Sequence, residues 1–366
     1  MSAARPIGVE VLSPGAFATL QDGGRRGFRR IGVPWAGVLD RRLMRLANAL
    51  AGNAEDSAVI ECFDGGLQLA ARGGAVRVAV AGHAALEIGS GEERRALPAW
   101  RSLTLAEGEV LRIRRMERGR LAMVAVAGLA PVAVMGSAAT YARAGLGGID
   151  GQGRPLAAGD LLPAAVAAEG PERVLPQPPG GDAAPIRVIP GPQADHFSAE
   201  ALAALVAGEY RVTAEADRMG VRLEGATLVH AGAAEIVSDA TVPGSIQVPG
   251  KGQPIVLLAD AQTAGGYPKI ATVISADIPR LAALRPGETL RFGVVDVAEG
   301  ERLARVAEGY SRELLAAIRP LYAEGVDLAA LYACNLVGGV VHALGPDYRP
   351  LLDPLPQPAD PKRNTL

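Results

Sequence analysis

The sequence predicts a mainly β chain with some α, organised as two β-rich halves. Three observations carry this reading. Short apolar runs bounded by glycine, proline or aspartate recur along the 366 residues, as strands do. Helical periodicity with recognisable caps is confined to a few stretches. Residues 75–113 can also be laid on 254–292 without a gap, so that Gly108, Glu109, Leu111 and Arg112 meet Gly287, Glu288, Leu290 and Arg291, and Arg101 meets Arg280. That is the pattern of a duplicated β-domain.

Taken in order, SAVIEC (57–62), AVRVAVAG (75–82), EVLRIRR (109–115), PIRVIPG (185–191), QPIVLLAD (253–260) and ATVIS (271–275) read as strands. DRRLMRLANALAGN reads as a helix with Asp40 as N-cap and Gly52 as its stop. SAEALAALVAGE reads likewise, from Ser198 to Gly208, and 299–323 reads as one longer helix. The Pro/Gly-rich stretch 171–185, PERVLPQPPGGDAAP, is the linker between the halves.

Hydrophobic residues make up 49% of the chain, enough for a sizeable core, and the net charge of −2 argues against nucleic acid or an anionic membrane as partner. Two cysteines, Cys62 and Cys334, make no disulfide framework and point to a reducing, cytoplasmic setting. The N-terminus lacks the basic start and apolar core of a signal peptide. The longest uncharged apolar run, LAMVAVAGLAPVAVMG (121–136), is short for a membrane span, and Gly128 and Pro131 divide it into two strand-sized pieces.

Several familiar motifs fail. GSIQVPGKGQ (244–253) has five residues between Gly244 and Gly250, carries Gly252 where a P-loop needs Ser or Thr, and precedes a strand. GLGGIDGQG (145–153) does not open a helix, which argues against a dinucleotide fingerprint. The four histidines lack metal-ligand spacing, so no metal is expected. There is no nucleophile elbow and no biotin-accepting lysine segment.

Three segments combine glycine with dense polar side chains. In TLQDGGRRGFRRIGVPWAGVLD (19–40), Gln21 and Asp22 precede a Gly-Gly turn and Arg25 follows it, a fork suited to carboxylate or phosphate. The alternative is a solvated loop with surface arginines. DRMGVRLEG (217–225) places Arg218 and Arg222 near a strand start, where an ion-paired hairpin is the favoured reading. The third segment runs from Pro243 to Ile274. Gln247, Gln253, Asp260, Gln262, Thr263, Gly265, Gly266, Tyr267 and Lys269 lie in or beside its turns. Amides, a hydroxyl, a carboxylate and an ammonium can together hold the donor and acceptor sides of a small polar substrate. Lysine is scarce, with only Lys251, Lys269 and Lys362 in the chain. This favours Lys269 as an oxyanion or anion partner over the alternative of a lysine guarding an edge strand.

LQDGGRRGFRRIGVPWAGVLDRRLMRLANALAGN, then VAGLAPVAVMGSAATYARAGLGGIDGQGRPLAAGDLL, then DRMGVRLEG, VPGSIQVP, GQPIVLLAD and GGYPKIATV resemble, in order, the signatures of the family that contains the C subunit of 5-oxoprolinase. It is also called the allophanate hydrolase subunit 2 or urea amidolyase carboxyltransferase-like family. The resemblance covers about residues 8–295. Departures stand at Gly250-Lys251, where the family has Pro-Pro-x-Gly, at Ala36, where serine is common, and at Ala264 in place of a second threonine.

The resemblance implies two cyclophilin-like β-barrel domains in tandem, at 1–170 and 186–298, with a C-terminal helix and tail over 299–366. It implies a partner protein like the B subunit of 5-oxoprolinase, a third chain like its A subunit, and ATP-dependent opening of the 5-oxoproline lactam to glutamate. Lys269, Asp260 and Gln262 are then the catalytic candidates, and Gln21, Asp22, Arg25, Gln247, Gln253, Thr263, Gly265, Gly266 and Tyr267 the substrate-binding ones. With no ATP motif in this chain, ATP is expected to be handled partly or wholly by partner subunits. Two alternatives accompany this reading. One is a biotin-dependent carboxyltransferase acting on urea or a related small amide, with biotin attached to another chain. The other is a regulatory protein that binds a partner such as a sensor kinase.

Overall fold

In the computed structural model, which describes residues 6–164 and 170–321, strands dominate and four helices interrupt them. The helices are α1 (Arg41–Ala51), α2 (Ala199–Ala207), α3 (Ile278–Ala282) and α4 (Val297–Ala316).

The first half folds its strands over into two matched sheets. One sheet runs Leu161–Pro163, Gly8–Pro14, Leu67–Arg72, Val110–Met116, Ala84–Ser90, Glu93–Pro98. The other runs Phe17–Gln21, Val59–Phe63, Leu121–Val126, Val76–Ala81, Arg101–Leu105, Arg173–Val174, Arg319–Pro320. Five links of two to four residues join Gly8–Pro14 to Phe17–Gln21, Val59–Phe63 to Leu67–Arg72, and so on across both sheets in the same order. Each strand therefore crosses from one layer to the other at a tight corner, and the inward faces of both layers meet in one core.

The second half forms a single eight-stranded sheet: Thr289–Leu290, Tyr210–Val212, Gly220–Glu224, Ile255–Leu257, Ser245–Gln247, Lys269–Val273, Ile186–Pro190, Phe292–Val294. Its two outer strands are separated in sequence by Arg291 alone, so the sheet must curl almost closed. All neighbours in it are antiparallel except Ile186–Pro190 with Phe292–Val294.

The sheets thus divide at the predicted linker, but 171–185 is not a free tether. Arg173–Val174 joins the second sheet, Glu172 accepts from Arg101 at 3.0 Å, Leu175 is buried, and the Pro179 carbonyl meets His83 at 3.0 Å. Under the ungapped match between the halves, strands overlay strands at its ends, Val76–Ala81 on Ile255–Leu257 and Val110–Met116 on Thr289–Leu290, but not in its middle. Arg101 opens a strand whereas Arg280 lies in α3, a helix the sequence reading lacked.

Local chemistry explains most element ends. Asp40 accepts from the Leu43 N–H at 3.1 Å and Gly52 takes φ +89°, so α1 begins and ends where its caps predict. Ser198 caps α2 at 3.1 Å. Helix α4 stops at Ala316, short of the predicted 323, because Arg319 precedes Pro320 and both continue as a strand. Of the two pieces of 121–136, the first is the strand Leu121–Val126, while the second is a loop with one bridge, Val134 to Ser137. Cys62 is buried, which pushes its thiol up to about 12, and Cys334 lies outside the described residues. Among the described residues no helix is long and apolar enough to cross a membrane.

Candidate functional site

Segments one and three, far apart in sequence, meet where the two halves join. The Ala36 N–H donates to the Ala259 carbonyl at 3.1 Å. Arg29 stacks on Trp35 at 5.1 Å and donates to the carbonyls of Thr241 and Thr263. Two polar clusters lie here, one across the seam and one in the second half's curled sheet.

The first is an ionic cluster centred on Arg218. Its guanidinium forks onto Asp260 through Nε at 3.0 Å and Nη2 at 2.8 Å, reaches Glu61 of the first half through Nη1, and donates to the Gly37 carbonyl at 2.6 Å. Glu61 is fully buried and also accepts from the Leu39 N–H at 2.8 Å. Burial works against the charge of Arg218, but Asp260 and Glu61 outweigh it and raise its pKa. One cation here serves two carboxylates. Burial therefore pushes the carboxyl of Glu61, the deeper of the two, upward despite Arg218. Predicted as part of a hairpin ion pair, Arg218 is instead the link between halves. Arg222 alone makes the local pair, with Glu215 at 3.3 Å.

Asp22 and Arg25 organise the loop after Pro131. Asp22 accepts from Gly24 N–H at 2.9 Å, Ser137 Oγ at 2.6 Å and Ala138 N–H at 2.7 Å. Arg25 is fully buried. It donates through Nε to the Val134 carbonyl at 3.1 Å and through Nη2 to Ser137 and Ala139 carbonyls at 3.3 and 2.7 Å. Burial lowers its pKa, against the pull of Asp22 and Asp260. The fork predicted for a carboxylate or phosphate is thus engaged by main-chain oxygens, with Nη1 alone lacking a protein partner. Gln21, also fully buried, donates to Thr19 Oγ1 at 3.0 Å and the Thr140 carbonyl at 3.2 Å.

The second cluster lies in the curled sheet. Gln247 stands opposite Lys269 on neighbouring strands, accepts from Gln262 Nε2 at 3.2 Å, and donates to the Tyr267 carbonyl at 3.4 Å. Gly265 passes so close that a Cβ there would sit 2.6 Å from Gln247 Nε2. Lys269 lies on an interior strand, buried to 2% exposure, so it guards no edge. Its ammonium meets Asp239 Oδ2 at 2.8 Å. Asp239 also accepts from Gln193 Nε2 at 3.0 Å. The Lys269 pair, with Gln193 and the Ala240 N–H, draws the Asp239 carboxyl down to about 2. Thr263 and Gly266 contribute carbonyls, to Thr241 N–H at 3.1 Å and Ile236 N–H at 2.8 Å.

The structure therefore brings Gln247, Gln262, Gly265, Gly266, Tyr267 and Lys269 together, and sets Asp260 in the ionic cluster instead. Gln253 is engaged elsewhere, bonding both the N–H and the carbonyl of Gly225 at 2.9 and 3.3 Å. Glu61, Ser137, Gln193 and Asp239 escaped sequence reasoning, since a single acidic, amide or hydroxyl residue in an unremarkable context carries no local signal. A cleft of about 1650 Å³ is lined by none of the twelve predicted residues. Several of its charges pair with one another: Arg45 with Glu55 and Glu308, Arg41 with Asp56, Arg280 with Asp182. The polar clusters are the better candidate for chemistry, because they hold convergent, desolvated donors and acceptors.

The chain as a whole has known relatives. The chain is 34% identical to the C subunit of the 5-oxoprolinase of Escherichia coli K12 over 318 residues, spanning 84% of this chain and 97% of that protein. It is 28% identical to the urea amidolyase of Lachancea kluyveri over 79% of this chain, which is only 17% of that enzyme. The crystal structure of the K. lactis urea amidolyase shares its fold, with a TM-score of 0.75 at 24% identity over 85% of this chain and 20% of that one. The family model described as carboxyltransferase domain, subdomain A and B, matches residues 31–294, and the chain belongs to that family.

Proposed function

We propose that this chain is the component equivalent to the C subunit in a bacterial 5-oxoprolinase-type complex, which opens the lactam of 5-oxoproline to glutamate at the expense of ATP. The observation that supports this most is the near full-length likeness to the C subunit of a 5-oxoprolinase. The second polar cluster suits the substrate. Gln247 and Gln262 are amides placed to read a lactam N–H and carbonyl, and Lys269 supplies a fixed positive charge for oxygen that gains charge as the ring opens.

We assign no ATP site to this chain. The glycine-rich stretch 244–253 forms the strand Ser245–Gln247 and a turn, with no helix N-terminus to face a phosphate, and Lys251 is exposed. Activation by ATP belongs in this reading to the partners that resemble the B and A subunits.

The purified chain alone is then expected to give no 5-oxoproline-dependent ATP hydrolysis, and the assembled complex to give it. Within that complex Lys269→Arg is expected to lower turnover about tenfold to a thousandfold, as loss of one oxyanion donor does. Robust turnover by the chain alone, or an unaffected arginine variant, contradicts the respective claim. The second reading, carboxyl transfer from biotin to urea or a related amide, is favoured by the urea amidolyase likeness. It predicts urea-dependent activity with a biotin carboxylase partner and none with 5-oxoproline.

A further inference from the structure

Lys269 differs from every other deeply buried cation in an ion pair among the described residues. Arg218, the one comparable case, faces Glu61 at 0% and Asp260 at 13% side-chain exposure. Lys269, at 3%, faces a carboxylate that is 48% exposed. A buried charge needs a counter-charge, and here that counter-charge sits outside the sheet that buries the cation. Asp239 belongs to a strap, 231–241, whose residues are exposed or half-buried up to Ala240. Val237 projects into solvent at 93% exposure. The strap is held at its ends by the Ala231 N–H to His196 bond and by buried Thr241, which bonds Thr263 and Gln262 and accepts from Arg29, and between them by the two-residue pairing of Asp239–Ala240 with Ala264–Gly265, the Ile236 N–H to Gly266 bond and the carboxylate itself. Segments with so few buried apolar contacts open at low cost.

We propose that Lys269 and Gln193 form a carboxylate subsite and that Asp239 is the chain's own carboxylate occupying it, to be displaced by the carboxylate of a ligand. The choice of 5-oxoproline as that ligand rests on the function proposed above; the subsite does not. Two donors from different parts of the chain, Lys269 Nζ at 2.8 Å and Gln193 Nε2 at 3.0 Å, converge on the same oxygen, Asp239 Oδ2. A ligand carboxylate would meet the same two donors; it takes one of the ammonium's three N–H groups, which leaves the others for the oxygen that gains charge as the ring opens. Next to them lie the amides of Gln247 and Gln262: Gly265, which pairs with Asp239, passes the Gln247 amide so closely that a Cβ there would stand 2.6 Å from its Nε2. A five-membered lactam bearing a carboxylate carries both kinds of group. Asp239 then sets specificity, because a neutral amide gains nothing by displacing it.

The test is binding to the full-length chain, by calorimetry or NMR titration, of 5-oxoproline, of 2-pyrrolidinone (the same lactam without its carboxylate) and of acetate. Asp239→Ala and Asp239→Asn remove the competing charge at a half-exposed position but leave Lys269 without its counter-charge, so the fold of each is checked by circular dichroism before titration; should neither fold, acetate-induced NMR shifts at Lys269 and Gln193 of the unaltered chain carry the test, and their absence overturns the subsite. Both are expected to bind 5-oxoproline and acetate about tenfold or more tightly than the unaltered chain, and 2-pyrrolidinone equally well, with the gain abolished by adding Lys269→Met. Unchanged or weakened carboxylate binding in both variants overturns the subsite. If 5-oxoproline binds the unaltered chain and the variants alike, the subsite fails and the lactam reading stands. If acetate gains while 5-oxoproline binds neither form, the subsite stands and the lactam reading fails.

Discussion

Lys269 and Asp239 show what a single residue's surroundings decide. Lysine at position 269 is buried on an interior strand, where a planar guanidinium would have to fit between Gln247 and Gln193. A compact ammonium on a flexible stem fits such a place better than an arginine fork. The consequence for titration has a definite sign. The Asp239 carboxyl is held down to about 2, chiefly by Lys269 and then by Gln193. A carboxyl lowered on folding contributes stability that is fully present above its unfolded value and lost as pH falls through the folded one. The attachment of the strap is therefore expected to be constant from neutral pH down to about 5 and to loosen only below about 4. Carbon-detected NMR titration of the Asp239 side chain is expected to give a midpoint near 2 in the free chain. A midpoint near 4 would mean that the carboxylate is not held by Lys269 in solution.

At the scale of elements, the sequence made much of the architecture legible, because strand patterning and helix caps are local signals. Asp40, Gly52 and Ser198 act where their residue types say they should. The loop 134–153 was less legible. Its apolar start, PVAVMG, looks like a strand, yet its carbonyls at Val134, Ser137 and Ala139 turn towards a buried arginine from the other end of the domain. No window of sequence contains that contact. The loop's glycines are the trace it leaves. Gly147 has φ +71°, and a Cβ there would stand 2.1 Å from the Ala139 carbonyl oxygen and 2.8 Å from Arg25 Nη2. Gly147→Ala adds left-handed backbone strain of about 1–2 kcal/mol to a clash with backbone that cannot swing aside. A loss of at least about 2 kcal/mol is expected in chemical denaturation, together with displacement of the Arg25 side chain. A variant as stable as the parent would show that this loop packs differently from the description above.

At the scale of the whole molecule, the seam between halves is where sequence reasoning ran out and where the fold is most exposed to a single change. Duplication implied two units joined by a linker, and the sheets do divide there, yet the linker is stapled to the first half and the halves are joined by backbone and side-chain contacts across the seam as well. Arg218 carries that junction. It binds Asp260 beside it in the second half, Glu61 from a central strand of the first, and the Gly37 carbonyl from the glycine-rich signature. Replacing it with methionine keeps an unbranched apolar stem and leaves Glu61 buried without its cation. Breaking a buried pair by removing one partner costs about 3–5 kcal/mol, whereas removing both charges for apolar groups of similar size is often close to neutral. Arg218→Met is therefore expected to be strongly destabilising, and Glu61→Leu combined with Arg218→Met to recover a large part of the loss. Asp260 stays partly solvated and can keep its charge in the double variant. Denaturant melts of the three proteins distinguish the cases. If the double variant is as unstable as the single one, the cluster holds the halves by its hydrogen-bond geometry rather than by charge compensation. If neither variant loses stability, Arg218 does not join the halves in solution. Because Asp260 adjoins Gln262 through Ala261, a loosened seam is also expected to weaken binding at Gln247 and Gln262, which a 5-oxoproline titration of the single variant would register even where the chain remains folded.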